Sequence, residues 1–161
     1  MKTHTIEFRA VNYSDPATGR TIPVLGVLVD GIDFIKLVAQ TEVPCAQVEG
    51  NPSIAGGYRG LGMEYVAPPS QHLLGEPTHP VYSHSDKVQI LECECGEPGC
   101  WPLLCRISVL DDRVVWSDFE QPHRTGGFGQ APWSYAGLGP LRFDRVAYEA
   151  ALARLTPGSD R

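Results

Sequence analysis

Three strand patterns joined by brief turns constrain the fold of this chain more than any other part of its sequence. Each pattern is rich in apolar and β-branched side chains, and they cover Lys87 to Cys95, Cys100 to Leu110 and Val114 to Phe119. Connections this short join antiparallel neighbours, because a parallel pair needs a crossover of about a dozen residues. The sequence therefore predicts an antiparallel meander over residues 87–119.

The N-terminal region predicts a second antiparallel unit. Thr5 to Val11 alternates between apolar and polar side chains, and Thr21 to Val29 is a more apolar strand pattern. Residues 12–20 between them are dense in turn formers. We therefore expect a hairpin over residues 5–29.

Two interpretations compete for the segment that follows the hairpin. Asp30-Gly31 could close a two-residue turn into a strand over residues 32–38. Alternatively, Asp33 caps a helix in which Phe34, Leu37 and Val38 share one face. The alternation that a strand would need is poor, so we expect a short helix over residues 33–40.

The remaining segments predict an irregular region, a long loop and a final helix. Residues 41–85 are rich in Gly and Pro, which favour turns, and residues 120–140 form the loop. Asp144 is expected to cap a C-terminal helix over residues 144–155, which Thr156-Pro157-Gly158 would end. We expect that helix to pack against the second meander strand through Tyr148, Leu152 and Leu155.

These elements together predict an α+β fold. It is a mainly antiparallel sheet of five or more strands, with the C-terminal helix packed on one face. No repeat or linker divides the chain, so residues 1–161 are expected to form one domain.

The chemically distinctive segment is a cysteine hairpin with the sequence CECGEPGC over residues 93–100. If residues 96–99 form a four-residue loop, strand alternation sends Cys93, Cys95 and Cys100 to one side. That side also carries Leu91 and Leu104 and is the less apolar one, so we expect the three thiols to lie outward of the core. Cys105 falls on the opposite, buried face, although a β-bulge would upset this assignment.

Three cysteines at hairpin spacing suit zinc, which takes four tetrahedral sulfur and imidazole ligands. We expect the metal ligands to be Cys93, Cys95, Cys100 and His123. The fourth is chosen because it follows the third meander strand in a Gly-rich loop that could fold back. His79 and His84, just before the first meander strand, are alternatives.

Two other interpretations of the cysteines stay open. They could be reduced thiols without a metal, or Cys95 and Cys100 could be a redox-active pair. A redox pair needs a lowered thiol pKa, which the carboxylates of Glu94 and Glu97 would oppose. Cys45 has no partner pattern and is expected to be a small core or loop residue.

Charge and hydropathy limit the classes of partner. The 161 residues carry 13 Lys and Arg against 19 Asp and Glu, so the net charge is −6 and no nucleic-acid-binding face is expected. The longest apolar run, Val24 to Val29, is far too short to cross a bilayer, and no signal-peptide pattern follows Lys2. We expect a cytoplasmic protein that binds neither nucleic acid nor membrane, with its oligomeric state open.

A possible ligand or protein-partner surface involves the 120–140 loop and the strand before it. Its candidate residues are Asp118, Arg124, Trp133 and Tyr135, with Phe128 beside them. The competing interpretation is that the aromatic side chains simply pack the loop onto the sheet.

Four segments carry a resemblance: AGGYRGL (55–61), LECECGEPGCWPL (91–103), VVWSDFEQPHR (114–124) and WSYAGLGPLRFDRVAYEAAL (133–152). With them, the chain from about Ile54 onward resembles a group of small bacterial proteins that have no established activity. The resemblance implies a bacterial cytoplasmic domain, and it supplies no catalytic residue.

Two hypotheses about function follow. The first is a non-enzymatic binding or interaction protein, such as an immunity or accessory factor, with a structural, zinc-binding cysteine hairpin and no other cofactor. It is favoured because no nucleophile–base pair stands at a recognisable spacing. The alternative is a small enzyme or redox protein that uses Cys95 and Cys100, or His123 in a pocket with Trp133 and Tyr135.

Overall fold

The predicted N-terminal hairpin forms two strands of a three-stranded antiparallel sheet. The computed structural model describes residues 2–127 and 129–155. β1 (Ile6–Ser14) pairs with β2 (Thr21–Val29), and β3 (Ile32–Asp33) pairs with the end of β2. The hairpin prediction is therefore confirmed.

Both interpretations of the segment after the hairpin are partly right. Asp30 and Gly31 have φ angles of 52° and 78°, the left-handed conformations that a two-residue hairpin turn requires, and they connect β2 to β3. The chain then enters α1 (Phe34–Val48). Asp33 caps this helix as predicted, because its side chain accepts a hydrogen bond from the Ile35 amide at 2.9 Å.

α1 extends well beyond its predicted end at residue 40 and contains Pro44. A proline inside a helix removes one backbone hydrogen bond and costs about 3 kcal/mol. The helix continues because one face is buried along its length, through Phe34, Val38, Glu42 and Ala46. The prediction of irregular structure from residue 41 is therefore wrong for the part that α1 occupies. Cys45 lies on α1 and is half-buried.

The predicted meander forms the centre of a six-stranded antiparallel sheet. Its consecutive strands are β6 (Lys87–Cys93), β7 (Leu103–Val109) and β8 (Arg113–Glu120). The sheet is completed by β4 (Tyr58–Arg59) and β5 (Ser83–His84), which pair with β6, and by β9 (Leu141–Asp144), which pairs with β8. These additional strands were not foreseen, because two to four residues carry too little periodicity to stand out.

The segment between β4 and β6 holds several short turns of helix. α2 spans Met63–Val66, and single 3-10 turns occur at His72–Leu74 and Pro80–Tyr82. Another 3-10 turn, at Pro52–Ile54, lies between α1 and β4. A further 3-10 turn at Pro122–Arg124 follows β8. None of the described helices is both long enough and apolar enough to cross a lipid bilayer.

The C-terminal helix, α3 (Arg145–Ala153), begins where the sequence predicts. Asp144 caps it by accepting a hydrogen bond from the Ala147 amide at 2.9 Å. The helix packs chiefly on β1, β8 and β9. Its Tyr148 hydroxyl accepts a hydrogen bond from Trp116 Nε1 at 3.1 Å, in the centre of the core. The predicted stop at residues 156–158 lies outside the described residues.

Two register shifts correct the predicted sheet faces. One lies between Gln89 and Leu91 on β6, and the other lies on the β7–β8 pair, where Asp118 takes a φ angle of 55°. Leu91 and Leu104 were expected on the wetter face, but they are 2% and 3% exposed. Both faces of this part of the sheet are therefore covered. Cys105 is fully buried, as predicted.

The two sheets meet where β2 contacts the segment after β4. The Leu25 amide donates a hydrogen bond to the Leu61 carbonyl at 2.8 Å, and Val24 forms a β-bridge with Gly62. Gly60 permits this approach, because a Cβ atom at that position would lie 1.8 Å from the Leu25 carbonyl oxygen. The absence of a side chain at residue 60 therefore lets the sheets close on each other.

Asp30 makes the stability of the fold sensitive to acid. His4 Nδ1–H donates to its carboxylate at 2.7 Å and the Thr5 amide donates at 2.9 Å, and these bonds lower the pKa of Asp30 to about 2. A carboxyl whose pKa is lower in the folded chain stabilises the fold above its ordinary pKa. That stabilisation is lost as the pH falls toward the folded value.

Asp30→Asn should lower the free energy of unfolding by about 1 kcal/mol at neutral pH, after allowance for solvent screening of this partly exposed site. Asparagine tolerates the left-handed turn, so the backbone is kept while the charge and one of the two acceptor oxygens are removed. Denaturant titrations of both proteins between neutral pH and about pH 2 measure the effect. The difference should shrink toward the acid end, and a difference that does not change across this range would contradict the assignment.

Candidate metal centre

Three cysteine sulfur atoms converge at the end of β6. The Sγ atoms of Cys93, Cys95 and Cys100 all lie within 4.8 Å of one another. Zinc–sulfur bonds of about 2.3 Å in a tetrahedron place the sulfur atoms about 3.8 Å apart, so small adjustments would let one ion contact all three. The expected gathering of the three thiols is confirmed, and the group could hold a metal ion.

The connection that brings the sulfurs together is longer than the predicted four residues. Residues 93–102, which we call the cysteine loop, include Cys95 and Cys100 outside the paired strands. Two turns fold the loop back on itself. The Gly96 amide donates to the Cys93 carbonyl at 2.9 Å, and the Cys100 amide donates to the Glu97 carbonyl at 3.2 Å. The sulfurs therefore meet through turn geometry, and not through the strand alternation used to predict them.

The three cysteines span the boundary between the core and solvent. Cys93 is only 9% exposed, Cys95 is half-buried and Cys100 is exposed. The expectation that all three lie outward of the core is therefore wrong for Cys93. A bound ion would have one side against the protein interior and one side toward water.

Hydrogen bonds attach the cysteine loop to the β1–β2 hairpin and to Gly57, the residue before β4. The Tyr13 hydroxyl donates to the Glu94 carbonyl at 2.7 Å, and the Glu94 amide donates to the Gly57 carbonyl at 3.2 Å. Gly96 has a φ angle of 86°, and a Cβ atom there would lie 3.2 Å from Nη2 of Arg59. The loop is therefore held in place before any ion binds.

The buried guanidinium of Arg59 supports the same region. Its guanidinium carbon lies 5.4 Å from the centre of the Tyr13 ring, and its Nη2 lies 3.3 Å from Oε2 of Glu92. Tyr13 therefore links Arg59 and the cysteine loop.

The electrostatic environments of two of the thiols differ. Burial raises the pKa of Cys93 to about 12. The pKa of Cys95 is lowered, chiefly because the Glu97 amide donates a hydrogen bond to its Sγ at 3.5 Å. The carboxylate of Glu97 was expected to oppose such a shift, but its backbone amide outweighs it. Cys95 therefore loses its proton more readily than Cys93 does.

His123 lies beside the cysteine loop, but its nitrogens are not among the converging ligand atoms of the described residues. Its Nε2–H donates to the Gly99 carbonyl at 2.9 Å, and its ring stacks on Trp101 with 6.0 Å between centroids. In this position His123 holds the loop, and its role as fourth ligand stays a prediction.

The alternative histidines are also outside the converging group. Nδ1 of His79 accepts a hydrogen bond from the Val81 amide at 3.3 Å. His84 lies on β5 and is half-buried.

Arg124 and Trp133, both predicted to form a ligand or partner surface, do come together. The guanidinium carbon of Arg124 lies 5.7 Å from the Trp133 ring centroid and 4.9 Å from that of Trp101. Glu49 fixes both residues, because its Oε1 accepts hydrogen bonds from Arg124 Nε at 2.8 Å and from Trp133 Nε1 at 2.7 Å. This aromatic and cationic group adjoins the cysteine loop through Trp101.

Asp118 and Tyr135 have different surroundings from each other. Asp118 forms an ion pair with Arg106 and lines a shallow cleft of about 250 Å³ with Arg124 and Trp133. Tyr135 is 9% exposed and Trp133 is 7% exposed, and both belong to the hydrophobic core, so the packing interpretation is right for both. Phe128 lies outside the described residues.

A buried carboxylate that the sequence analysis missed lies beneath this surface. Glu42 on α1 is 1% exposed and accepts hydrogen bonds from the Tyr58 hydroxyl at 2.6 Å, the Gly56 amide at 2.8 Å and the Tyr135 hydroxyl. Burial raises the pKa of Glu42. The sequence does contain one indication that Glu42 is buried. It lies four residues after the apolar Val38, and this spacing places both side chains on the same face of a helix.

Gln121 connects this buried carboxylate to the end of the cysteine loop. Its Nε2 donates to the Tyr58 hydroxyl and to the Pro102 carbonyl, both at 3.0 Å, and its Oε1 accepts from the His123 amide at 3.1 Å. The polar network therefore runs from α1 through Tyr58 to the cysteine loop.

Comparison of this chain with models of protein families, with curated proteins and with solved structures finds no match. The resemblance to a group of small bacterial proteins therefore stays a prediction.

Proposed function

We propose that this chain is a non-enzymatic binding or interaction protein whose cysteine loop is a structural zinc site. The observation that carries the proposal is the convergence of three thiol sulfurs within 4.8 Å. Thiolates are ligands that zinc prefers, and an ion bound there would join Cys93 in the core to Cys100 at the surface. Metal binding would add folding free energy to a loop that few apolar side chains hold.

If the fourth ligand comes from within the chain, we predict that it is His123. Its Nε2 carries the proton that it donates to Gly99, so Nδ1 keeps the lone pair that could bind a metal. Coordination would require the imidazole ring to approach the sulfurs from its position on Trp101.

We propose further that the protein is cytoplasmic and binds a protein partner. The five cysteines of the chain are all free thiols, which suits a reducing cytoplasm. Arg124 and the half-buried Trp101 beneath it are of the residue types that are enriched at protein interfaces, and Trp133 supports them from the core. A protein partner is therefore the binding function that this surface would serve.

The zinc site predicts a metal content of about one zinc per chain in protein purified without chelator. Cys93→Ser, Cys95→Ser and Cys100→Ser should each weaken zinc binding by more than about a hundredfold, because each removes a thiolate ligand. Elemental analysis and competition with a chromogenic chelator measure these effects. Zinc-free protein that takes up no added zinc would refute the site.

Cys105→Ser is the matched control for these variants. Cys105 is fully buried and lies outside the sulfur group, so a serine there should destabilise the fold by about 1–3 kcal/mol through its buried hydroxyl. Its zinc content should equal that of the parent protein. Loss of zinc in this variant would mean that metal binding merely reflects overall stability.

A redox function is the second candidate, favoured by the lowered pKa of Cys95. A thiolate at Cys95 within 4.8 Å of a second sulfur could form a disulfide with Cys100 when a disulfide or peroxide oxidant accepts two electrons. Titration of the metal-free protein with a thiol reagent separates the candidates. Reversible loss of two thiols in a glutathione redox buffer supports the redox role, and stable zinc binding supports the structural one.

A further inference from the structure

The described protein residues supply three converging metal ligands, and zinc takes four. No other described His, Cys, Asp or Glu side chain joins the group formed by Cys93, Cys95 and Cys100. Structural zinc sites are closed by a fourth protein ligand, whereas a site with three protein ligands accepts an external molecule. The fourth position here is therefore available to a ligand from solution.

A cleft of about 310 Å³ adjoins the sulfur group and has Cys93 in its wall. This volume lies at the lower end of the range for small-molecule sites and suits a ligand of the size of an amino acid. The ring of Trp101 forms another part of the cleft wall.

The charged residues of the cleft are Arg124 and Glu94. Arg124 Nε donates to Glu49, and its Nη1 donates to the His123 carbonyl. Among the described contacts, Nη2 therefore remains free to donate to a ligand. The Glu94 backbone is fixed by Tyr13 and Gly57, while its side chain is exposed. A cation and an anion in one cleft favour a ligand that carries both charges.

We propose that the fourth metal ligand is the thiol of a small zwitterionic molecule, of the thiol amino acid class, bound in this cleft. Its sulfur would bind the metal as a thiolate, releasing its proton to solvent. Its carboxylate would accept from Arg124, and its ammonium group would lie toward Glu94. This inference rests on the proposed metal site and assigns the fourth coordination position of its ion.

Cobalt in place of zinc makes the fourth ligand visible, because the absorption bands of tetrahedral cobalt shift when a ligand is exchanged. Cysteine added to the cobalt-loaded protein should shift these bands at a concentration about tenfold lower than cysteamine, which lacks the carboxylate. Mercaptopropionate, which lacks the ammonium group, should show a similar deficit. Serine, which lacks the thiol, should cause no shift. The metal content after gel filtration in ligand-containing buffer distinguishes binding from extraction of the ion.

Two variants test the assigned contacts. Arg124→Gln should abolish the preference for cysteine over cysteamine, and Glu94→Gln should abolish the preference for cysteine over mercaptopropionate, both with cobalt retained. His123→Asn should leave the bands unchanged, since the histidine is not a ligand in this proposal.

Three results would overturn the inference. If cobalt does not bind, the metal site itself fails and the inference fails with it. If cobalt binds but cysteine causes no shift, or only removes the ion, the external ligand alone is refuted. A changed cobalt spectrum in His123→Asn would assign the fourth position to His123.

Discussion

Replacing Glu42 with alanine is expected to lower the free energy of unfolding by about 3–5 kcal/mol. The substitution removes the acceptor for the Tyr58 hydroxyl, the Tyr135 hydroxyl and the Gly56 amide. These donors would stay buried without partners, and the missing side chain would leave a cavity. Denaturant unfolding at neutral pH measures the loss. A loss below about 1 kcal/mol would show that water replaces the carboxylate.

Glu42→Gln is the control that separates hydrogen bonding from charge. Its amide oxygen can accept from Gly56, and both tyrosine hydroxyls can accept from its NH₂ group, so the loss should be well under half of that of Glu42→Ala. The pH dependence also differs. Because burial raises the pKa of Glu42, its contribution to parent stability is fully present below the ordinary pKa and declines as the pH rises through the folded value. Glu42→Gln should lack that decline.

Gly60→Ala is expected to be the most damaging single methyl substitution at the contact between the sheets. The added Cβ would meet the Leu25 carbonyl oxygen at 1.8 Å, and this neighbour is backbone that cannot rotate away. Relief requires separating β2 from the segment after β4, which breaks the Leu25–Leu61 hydrogen bond. We expect a loss of more than about 3 kcal/mol, from overpacking and the lost bond together.

Gly137→Ala is the matched control for this clash. A Cβ atom at Gly137 meets nothing within 4 Å, and its φ angle is not in the left-handed region. Its effect should lie within about 0.5 kcal/mol of zero or be slightly stabilising, because alanine restricts the unfolded chain. Thermal melts of the two variants side by side test the comparison. Equal melting temperatures would mean that the sheets do not need close contact at residue 60.

The fold class could be predicted because the hairpin and the meander carry their own turn and alternation signals. Asp33 and Asp144 also marked the starts of α1 and α3 correctly, since capping depends on neighbouring residues alone. The end of α1 could not be predicted in this way. Pro44 is unfavourable locally, and the burial that offsets it involves residues far along the chain. β9 is equally non-local, because its four residues are strand only by pairing with β8.

The convergence of the three thiols could be predicted from their spacing, but its cause could not. The prediction relied on alternation in paired strands, whereas the sulfurs meet through turns at Gly96 and Cys100. The lowered pKa of Cys95 depends on a backbone amide, whose direction no side-chain pattern reveals. The support from Tyr13 and Gly57 joins segments far apart in the sequence.

The way in which the strands pair has a consequence for the kinetics of folding. In the three-stranded sheet each strand pairs with its neighbour in the chain, and the β6–β7–β8 meander is equally local. Low-contact-order units of this kind assemble quickly, whereas the contact between Leu25 and Leu61 closes a longer stretch of chain. If the hairpin and the meander form before they dock, glycine at residue 60 matters in the docking step, and substitution there should chiefly accelerate unfolding.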